Sequence, residues 1–417
     1  MTDTVSTADI DDILASIFLT PEGKADPYPG YAQVRETTAF HQSAFGMKVA
    51  TRFDDVNAIL RDNRFGRGEQ RVDPALFGLT QQEFEARFPD SGGVNESMLG
   101  LDPPDHTRLR ALVAKAFTPK TIEQLKPNIQ RLTNGFLEPL EGEVDLMPTL
   151  ALKLPITVIG EMLGVPVADY ETLMPHIKIV IRSLATFEAN LDEFTEIYEA
   201  GNVIGDYFRE LADDKRAHPS DDMFTNLVHA EEEGDKLTER ELIATVILLF
   251  VAGYETTTNL IGNGTRALLL YPDQLQRLRE DRSLVKSAVE EVLRYDSPVQ
   301  LTARKVLVDG AEVNGQPLTK NEEIITILGA ANRDPRVYEH PDTFDVGRRG
   351  PAPLSFSAGI HYCLGAALAR AEGQIVFDSL LDRYPTIEPA WTDAAPLRYR
   401  NNLVLRGLEN LPVRLTS

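Results

Sequence analysis

The chain has one cysteine and one tryptophan in 417 residues. A single cysteine excludes an intramolecular disulfide and every multi-cysteine zinc or iron–sulfur centre, and it fits a reducing cytoplasm. Basic side chains are also scarce. Against 64 Asp and Glu stand 42 Lys and Arg, a formal charge of −22, which argues against nucleic acid or an anionic membrane as a bulk partner. Met1 to Thr20 carries four aspartates and no basic residue, so it reads as neither a signal peptide nor a membrane anchor. The longest strongly apolar run, Leu242 to Gly253, is too short to cross a bilayer. Ser/Gly tracts, fixed-period repeats and low-complexity segments are missing too. With 42% hydrophobic side chains, residues 1–417 are therefore expected to form one domain with a large core.

What is present concentrates around the cysteine, in Ser355-Phe356-Ser357-Ala358-Gly359-Ile360-His361-Tyr362-Cys363-Leu364-Gly365. Glycines four residues before and two after the sulfur let the backbone turn tightly beside a thiolate. One soft anionic ligand suits heme iron, whose cysteine thiolate favours O–O cleavage. A lone cysteine is by default a small buried apolar residue. The flanks reverse that default: Phe356, Gly359, His361, Cys363 and Gly365 together resemble the cysteine-ligand loop of the cytochrome P450 family, and the small residues after Leu364 read as the start of a helix. Ser357 departs from the family, which usually has glycine there; a positive φ would strain it.

A second feature is a helix. Thr238 and Glu241 form a capping-box signal, and no proline follows until Pro272, so a helix of about thirty residues, roughly 45–50 Å long, is expected. Its first half, Leu242 to Val251, is apolar on every side and should be buried all round. The centre changes to Ala252-Gly253-Tyr254-Glu255-Thr256-Thr257-Thr258, poor helix-interior residues with a carboxylate that is expensive to bury unless used or paired. Threonines bonding back to their own helix are the ordinary explanation. Beside such a cysteine loop, however, the segment resembles the family's oxygen-activation site. Thr256 would hold a water or the reacting oxygen by hydrogen bond, Glu255 would pass protons inward, and Ala252 and Gly253 would leave room.

The rest of the chain supplies a frame. A helix, an extended piece at Lys48–Thr51 and a helix opening near Asp54 occupy 29–63. Residues 64–100 read as an irregular segment, either a lid or a surface excursion. Pro103 and Pro104 open a helix that places His106 and Arg110 at i and i+4, on one face suited to a pair of carboxylates; the resemblance makes these propionate ligands. Helices fill 121–240, with Asp213–Arg216 and Glu231–Asp235 as solvated turns. One more helix is expected from Pro272 to about Tyr295, hairpin strands near 306–328, and a small C-terminal sheet from Leu403–Leu405 and Val413–Leu415.

The resemblance covers nearly the whole chain and implies a mainly α fold with small β-sheets, the cytochrome P450 fold with its long central helix over a heme. It implies a monooxygenase that uses heme b (iron protoporphyrin IX) held by Cys363, O2 as co-substrate, and NAD(P)H electrons from a separate ferredoxin or flavodoxin-type donor. Propionates would be held by His106, Arg110, Arg304 and His361, and Glu291, Arg294 and Arg348 would clamp the core. The donor's docking face would include Arg108, Lys115 and Lys120. A hydrophobic substrate would meet Leu248, Val251, Val299 and Leu301, with Met98 and Leu184 as further candidates, and Leu403 and Val404 at a C-terminal tip. The implied protein is a cytoplasmic monomer. A heme-thiolate ligand or gas sensor is the alternative, which would have no use for Glu255 and Thr256.

Overall fold

A computed structural model describes residues 7–68, 72–89, 91, 96–183, 190–232 and 235–417. The described residues group into two compact units, one within 1–66, 122–155 and 255–417, the other within 67–121 and 156–254.

In the first unit, short β-branched and aromatic runs build a five-stranded sheet in the order Phe40–Gln42, Lys48–Ala50, Glu323–Ile327, Leu301–Val306, Phe65–Gly66. Only Lys48–Ala50 against Glu323–Ile327 is parallel. Arg304 stands opposite Ile324 in this register. One apolar cluster joins the sheet to the helix Phe53–Arg61 and, through Leu354 and Ala358, to the cysteine loop. Another packs Ile10, Leu14 and Ile17 of the helix Thr7–Leu19 against Tyr31, Leu301 and Ile325. Asn314 and Gly315, both at positive φ, turn the hairpin Ala311–Val313 to Gln316–Leu318, as an Asn-Gly pair should.

In the second unit the helices Asp105–Ala114, Tyr170–Ser183 and Leu191–Ala217 form around buried apolar faces. The long helix Glu239–Leu270 continues from this unit into the first. Glu241 N–H donates to Thr238 Oγ1 and Thr238 N–H to Glu241 Oε2, the expected reciprocal cap. This helix is long and apolar enough to cross a membrane, but 78% of its most apolar stretch is buried inside the protein, so it is a core helix.

Several expectations need correction. Residues 64–100 are not uniformly irregular: Thr80 and Glu83 box the helix Gln81–Arg87, and Phe84 and Phe88 lie 5.4 and 5.0 Å from the Phe194 ring. The Thr-x-x-Glu signal was there to be read. Asp213–Arg216 is the last part of a helix rather than a turn, and Lys215 is buried in an ion pair with Asp222. The stretch from Pro272 is two helices, Pro272–Glu280 and Val285–Tyr295, because Asp281 caps a 3-10 turn at Arg282–Leu284. At the C-terminus Pro412–Thr416 pairs with Thr386–Pro389 and Gly142–Asp145, whereas of Leu403–Leu405 only Leu405 makes a bridge, to Val299.

Candidate active site

The cysteine loop is pinned from behind. Ser355 Oγ donates to the Leu293 carbonyl at 2.5 Å, meets Ser297 Oγ at 2.9 Å and accepts from Asn332 Nδ2 at 2.8 Å, while Asn332 Oδ1 accepts the Leu354 N–H at 2.7 Å. After a 3-10 turn at Leu354–Phe356 the chain passes Ser357 at φ 60, ψ −167 and Gly359 at φ 68. A Cβ on Gly359 would stand 2.2 Å from the Leu60 carbonyl oxygen, so glycine is required there twice over. Cys363 N–H then donates to the Phe356 carbonyl at 2.9 Å, Cys363 itself is exposed, and the helix Ala366–Arg383 begins. Arg370 on that helix lies 4.4 Å over the Phe356 ring and donates to Tyr362 Oη and Glu290. Two residues on, burial pushes Glu372 up to about 8, so this enclosed carboxyl stays largely neutral at neutral pH.

Ser357 occupies a region of backbone space that is essentially glycine's, at a cost of order 1–3 kcal/mol, and its buried Oγ finds no hydrogen-bond partner among the described residues. Ser357→Gly is therefore expected to raise unfolding stability by about 1 kcal/mol, the relief less glycine's extra chain entropy. Urea denaturation measures this; equal or lower stability would show that the turn carries no strain.

In the same unit Arg304 is buried on its strand, with Nη1 donating to Thr302 Oγ1 at 3.1 Å and the Ala303 carbonyl at 2.9 Å, and His361 is half-buried. Glu255 is 4% exposed and ion-paired with Arg400, and Thr256 is half-buried. Nothing in the sequence around Arg400 marked it as that partner. Glu291 is enclosed by Arg294, whose Nε and Nη2 donate to it at 2.7 and 2.8 Å, and by Arg348 Nε at 3.0 and 3.1 Å. Leu301 sits in the cluster of the N-terminal helices, Leu403 and Val404 pack against that cluster, and Val299 packs against the sheet cluster. Those positions thus have a packing role that the sequence could not separate from contact with a ligand.

In the second unit His106 is buried and Arg110 half-buried on one helix. Ala252 is exposed and Gly253 half-buried, although Phe250, Val251 and Tyr254 beside them are buried. The long helix therefore has a bare spot of small residues in an otherwise covered stretch. Leu248 and Met98 are buried, and Leu184 lies outside the described residues. Arg108 is committed to Glu241 at the start of the long helix, while Lys115 and Lys120 are exposed.

Among the described residues no group of three or more His, Cys, Asp or Glu could hold a metal ion, so a metal would depend on the exposed Cys363. A heme fits this donor set: one thiol on a tight loop for iron, and guanidinium and imidazole groups for the propionates. Fold and loop together define a heme-thiolate protein. A family model described as Cytochrome P450 matches residues 80–407. The polyketide biosynthesis cytochrome P450 PksS of Bacillus subtilis is 38% identical, over 97% of this chain and 100% of its own. The monooxygenase PikC of Streptomyces venezuelae is 36% identical, over 94% and 91%. A crystal structure of P450BioI, in complex with an acyl carrier protein ligated to hexadec-9Z-enoic acid, superposes with a TM-score of 0.86 at 36% identity, covering 95% of this chain and 99% of that one. The chain belongs to the cytochrome P450 family. It is a heme b monooxygenase that uses O2, takes electrons from a redox partner and acts on a small molecule.

Proposed function

We propose that this P450 hydroxylates or epoxidises a hydrophobic small molecule of the polyketide, fatty-acyl or steroid kind, working as one catalytic domain over residues 1–417. The relatives' printed roles support the polyketide and fatty-acyl part of that range, from polyketide biosynthesis to a fatty acid carried on acyl carrier protein. The single observation that carries the reading is the exposed Cys363 on its doubly left-handed loop. Bound there, the heme would supply O2 activation, with Cys363 as its thiolate ligand, Phe356 and Gly365 shaping the loop, and His106, Arg110, Arg304 and His361 holding the propionates. Met98, Leu248, Val251, Val299, Leu301, Leu403 and Val404 are the candidates for contact with substrate.

Glu255 and Thr256 handle protons. The buried carboxylate takes protons at its side-chain oxygens from the Arg400 side, where the guanidinium is partly exposed, and the hydroxyl of Thr256, next in the chain and half-buried, would hand them on. Thr256→Ala is expected to keep NADPH consumption while product formed per NADPH falls several-fold and hydrogen peroxide rises. Unchanged coupling would remove Thr256 from the reaction. No observation favours the sensor reading.

The electron donor is proposed to be an acidic ferredoxin or a flavodoxin with its NAD(P)H reductase, meeting a cytoplasmic monomer near Lys115 and Lys120. Reversing both charges should slow reduction and flatten its salt dependence. An unaltered rate and salt slope would place the docking face elsewhere.

A further inference from the structure

The helices Val285–Tyr295 and Ala366–Arg383 pack on each other beside the cysteine loop, and an ion pair of Glu290 with Arg370 spans them. The pair meets the loop by one end. Arg370 touches it twice, with its guanidinium carbon 4.4 Å over the Phe356 ring and its Nη1 donating to Tyr362 Oη at 3.1 Å. Among the described residues Glu290 reaches the loop only through Arg370, accepting Nη2 on Oε2 at 3.0 Å and Nε on Oε1. Phe356 and Tyr362 are in turn the two residues tied most directly to Cys363: the Phe356 carbonyl accepts the Cys363 N–H at 2.9 Å, and Tyr362 precedes Cys363 in the chain. The positive end of the pair is thus applied to the cysteine, and the negative end is set back on the neighbouring helix.

Fold stability gives little reason for such an arrangement. The two side chains are 24% and 34% exposed, and ion pairs that near the solvent contribute little. What the pair does supply is a charge fixed in place. Arginine stays cationic at every working pH, two-pronged contact with a carboxylate sets the plane of its guanidinium, and partial burial limits screening by salt. Arg61 also borders the loop, its Cα 3.0 Å from where a Cβ on Gly359 would stand, but it is exposed and its Nε donates to Asn57 Oδ1 at 2.9 Å. Accepting one electron makes a metal–thiolate centre more negative by one unit, so a cation beside the ligand favours the reduced form and an anion there favours the oxidised form.

We propose that Arg370 is a positioning residue for electron uptake: its cation, fixed against Phe356 and Tyr362, raises the reduction potential of iron held by Cys363, and Glu290 behind it keeps that rise in check. This rests on the reading of Cys363 as the thiolate ligand. The electron itself comes from the redox partner, and the pair sets how favourable its acceptance is. Removing the cation leaves the Glu290 carboxylate uncompensated beside the loop. Removing the carboxylate leaves the cation at full strength.

Dye-mediated potentiometric titration of the heme-loaded protein, followed at the Soret band, tests this. Arg370→Gln should lower the ferric–ferrous potential and Glu290→Gln should raise it, each by about three-fold or more in the reduction equilibrium, which is roughly 30 mV at about 59 mV per tenfold. Arg370→Lys, which keeps the charge, should stay nearer the wild type than Arg370→Gln, and the double variant should fall between the two single ones. A loop that had merely loosened would move both single variants the same way, because lost packing does not depend on the sign of the charge removed. Shifts of one sign, no shift in either, or an Arg370→Lys protein displaced as far as Arg370→Gln would each overturn the proposal. Should Arg370→Gln fail to take up heme, Glu290→Gln decides alone, and a potential unmoved or lowered there overturns it. The thiolate-type band of the reduced, carbon monoxide-treated wild type separates the two readings: its absence would remove the ligand assignment, and its presence with unmoved potentials would remove only the role of Arg370.

Discussion

Cys363→Ser protein is expected to lose the red-shifted, thiolate-type Soret band of the reduced, carbon monoxide-treated enzyme and to form no oxygenated product from NADPH. No other thiol exists in the chain, so no neighbour can replace the ligand. The loop itself should survive the change. Its shape is set by Ser355 and Asn332 behind it, by the left-handed residues Ser357 and Gly359, and by a Cys363 backbone N–H that serine retains. Circular dichroism should therefore be near that of the unsubstituted protein while spectrum and turnover collapse. A serine protein that kept the thiolate-type band would refute the ligand assignment, whatever its activity.

Removing Glu291 should be nearly as damaging, through stability. Its carboxylate is 1% exposed and accepts from Arg294, Arg348 and the Asp345 N–H, while Arg294 also donates to the carbonyls of Asn332, Pro341 and Thr343. Glu291→Ala leaves two guanidiniums without their carboxylate, and breaking a buried ion network in this way typically costs about 3–5 kcal/mol. Against a total stability of about 5–15 kcal/mol, that is a large fraction. Since Asn332 joins this network to Ser355, loosening it should also reach the cysteine loop. The expected outcome is a lower urea midpoint and little heme-loaded protein. Arg294→Lys, which keeps the charge but loses the two-pronged geometry, should fall in between. Wild-type midpoint and heme content in Glu291→Ala would count against the clamp.

How much of this could be read from residues alone differs from element to element. The thirty-residue helix was legible because a local cap, an unbroken apolar half and the absence of proline all pointed one way. The helix Gln81–Arg87 was missed although its cap was equally local, because glycines and charges on either side masked a short segment. Lys215 looked like part of a solvated turn because its partner Asp222 comes after the helix has ended. Leu301 looked like a pocket residue, but whether an apolar strand residue meets a ligand or the helix Thr7–Leu19 depends on what covers that face of the sheet.

By itself the sequence determined the long helix with its polar interruption and the enzyme family, and singled out Cys363 as the candidate ligand, because each rests on chemistry held within a short stretch of chain. Only the tertiary structure decided that Glu255 is paired with Arg400, 145 residues away, and that Glu290 and Arg370, 80 residues apart, meet beside Phe356. Charged groups on remote segments have no local signature, and which of them neutralise one another is set by the folded path that brings them out of water together.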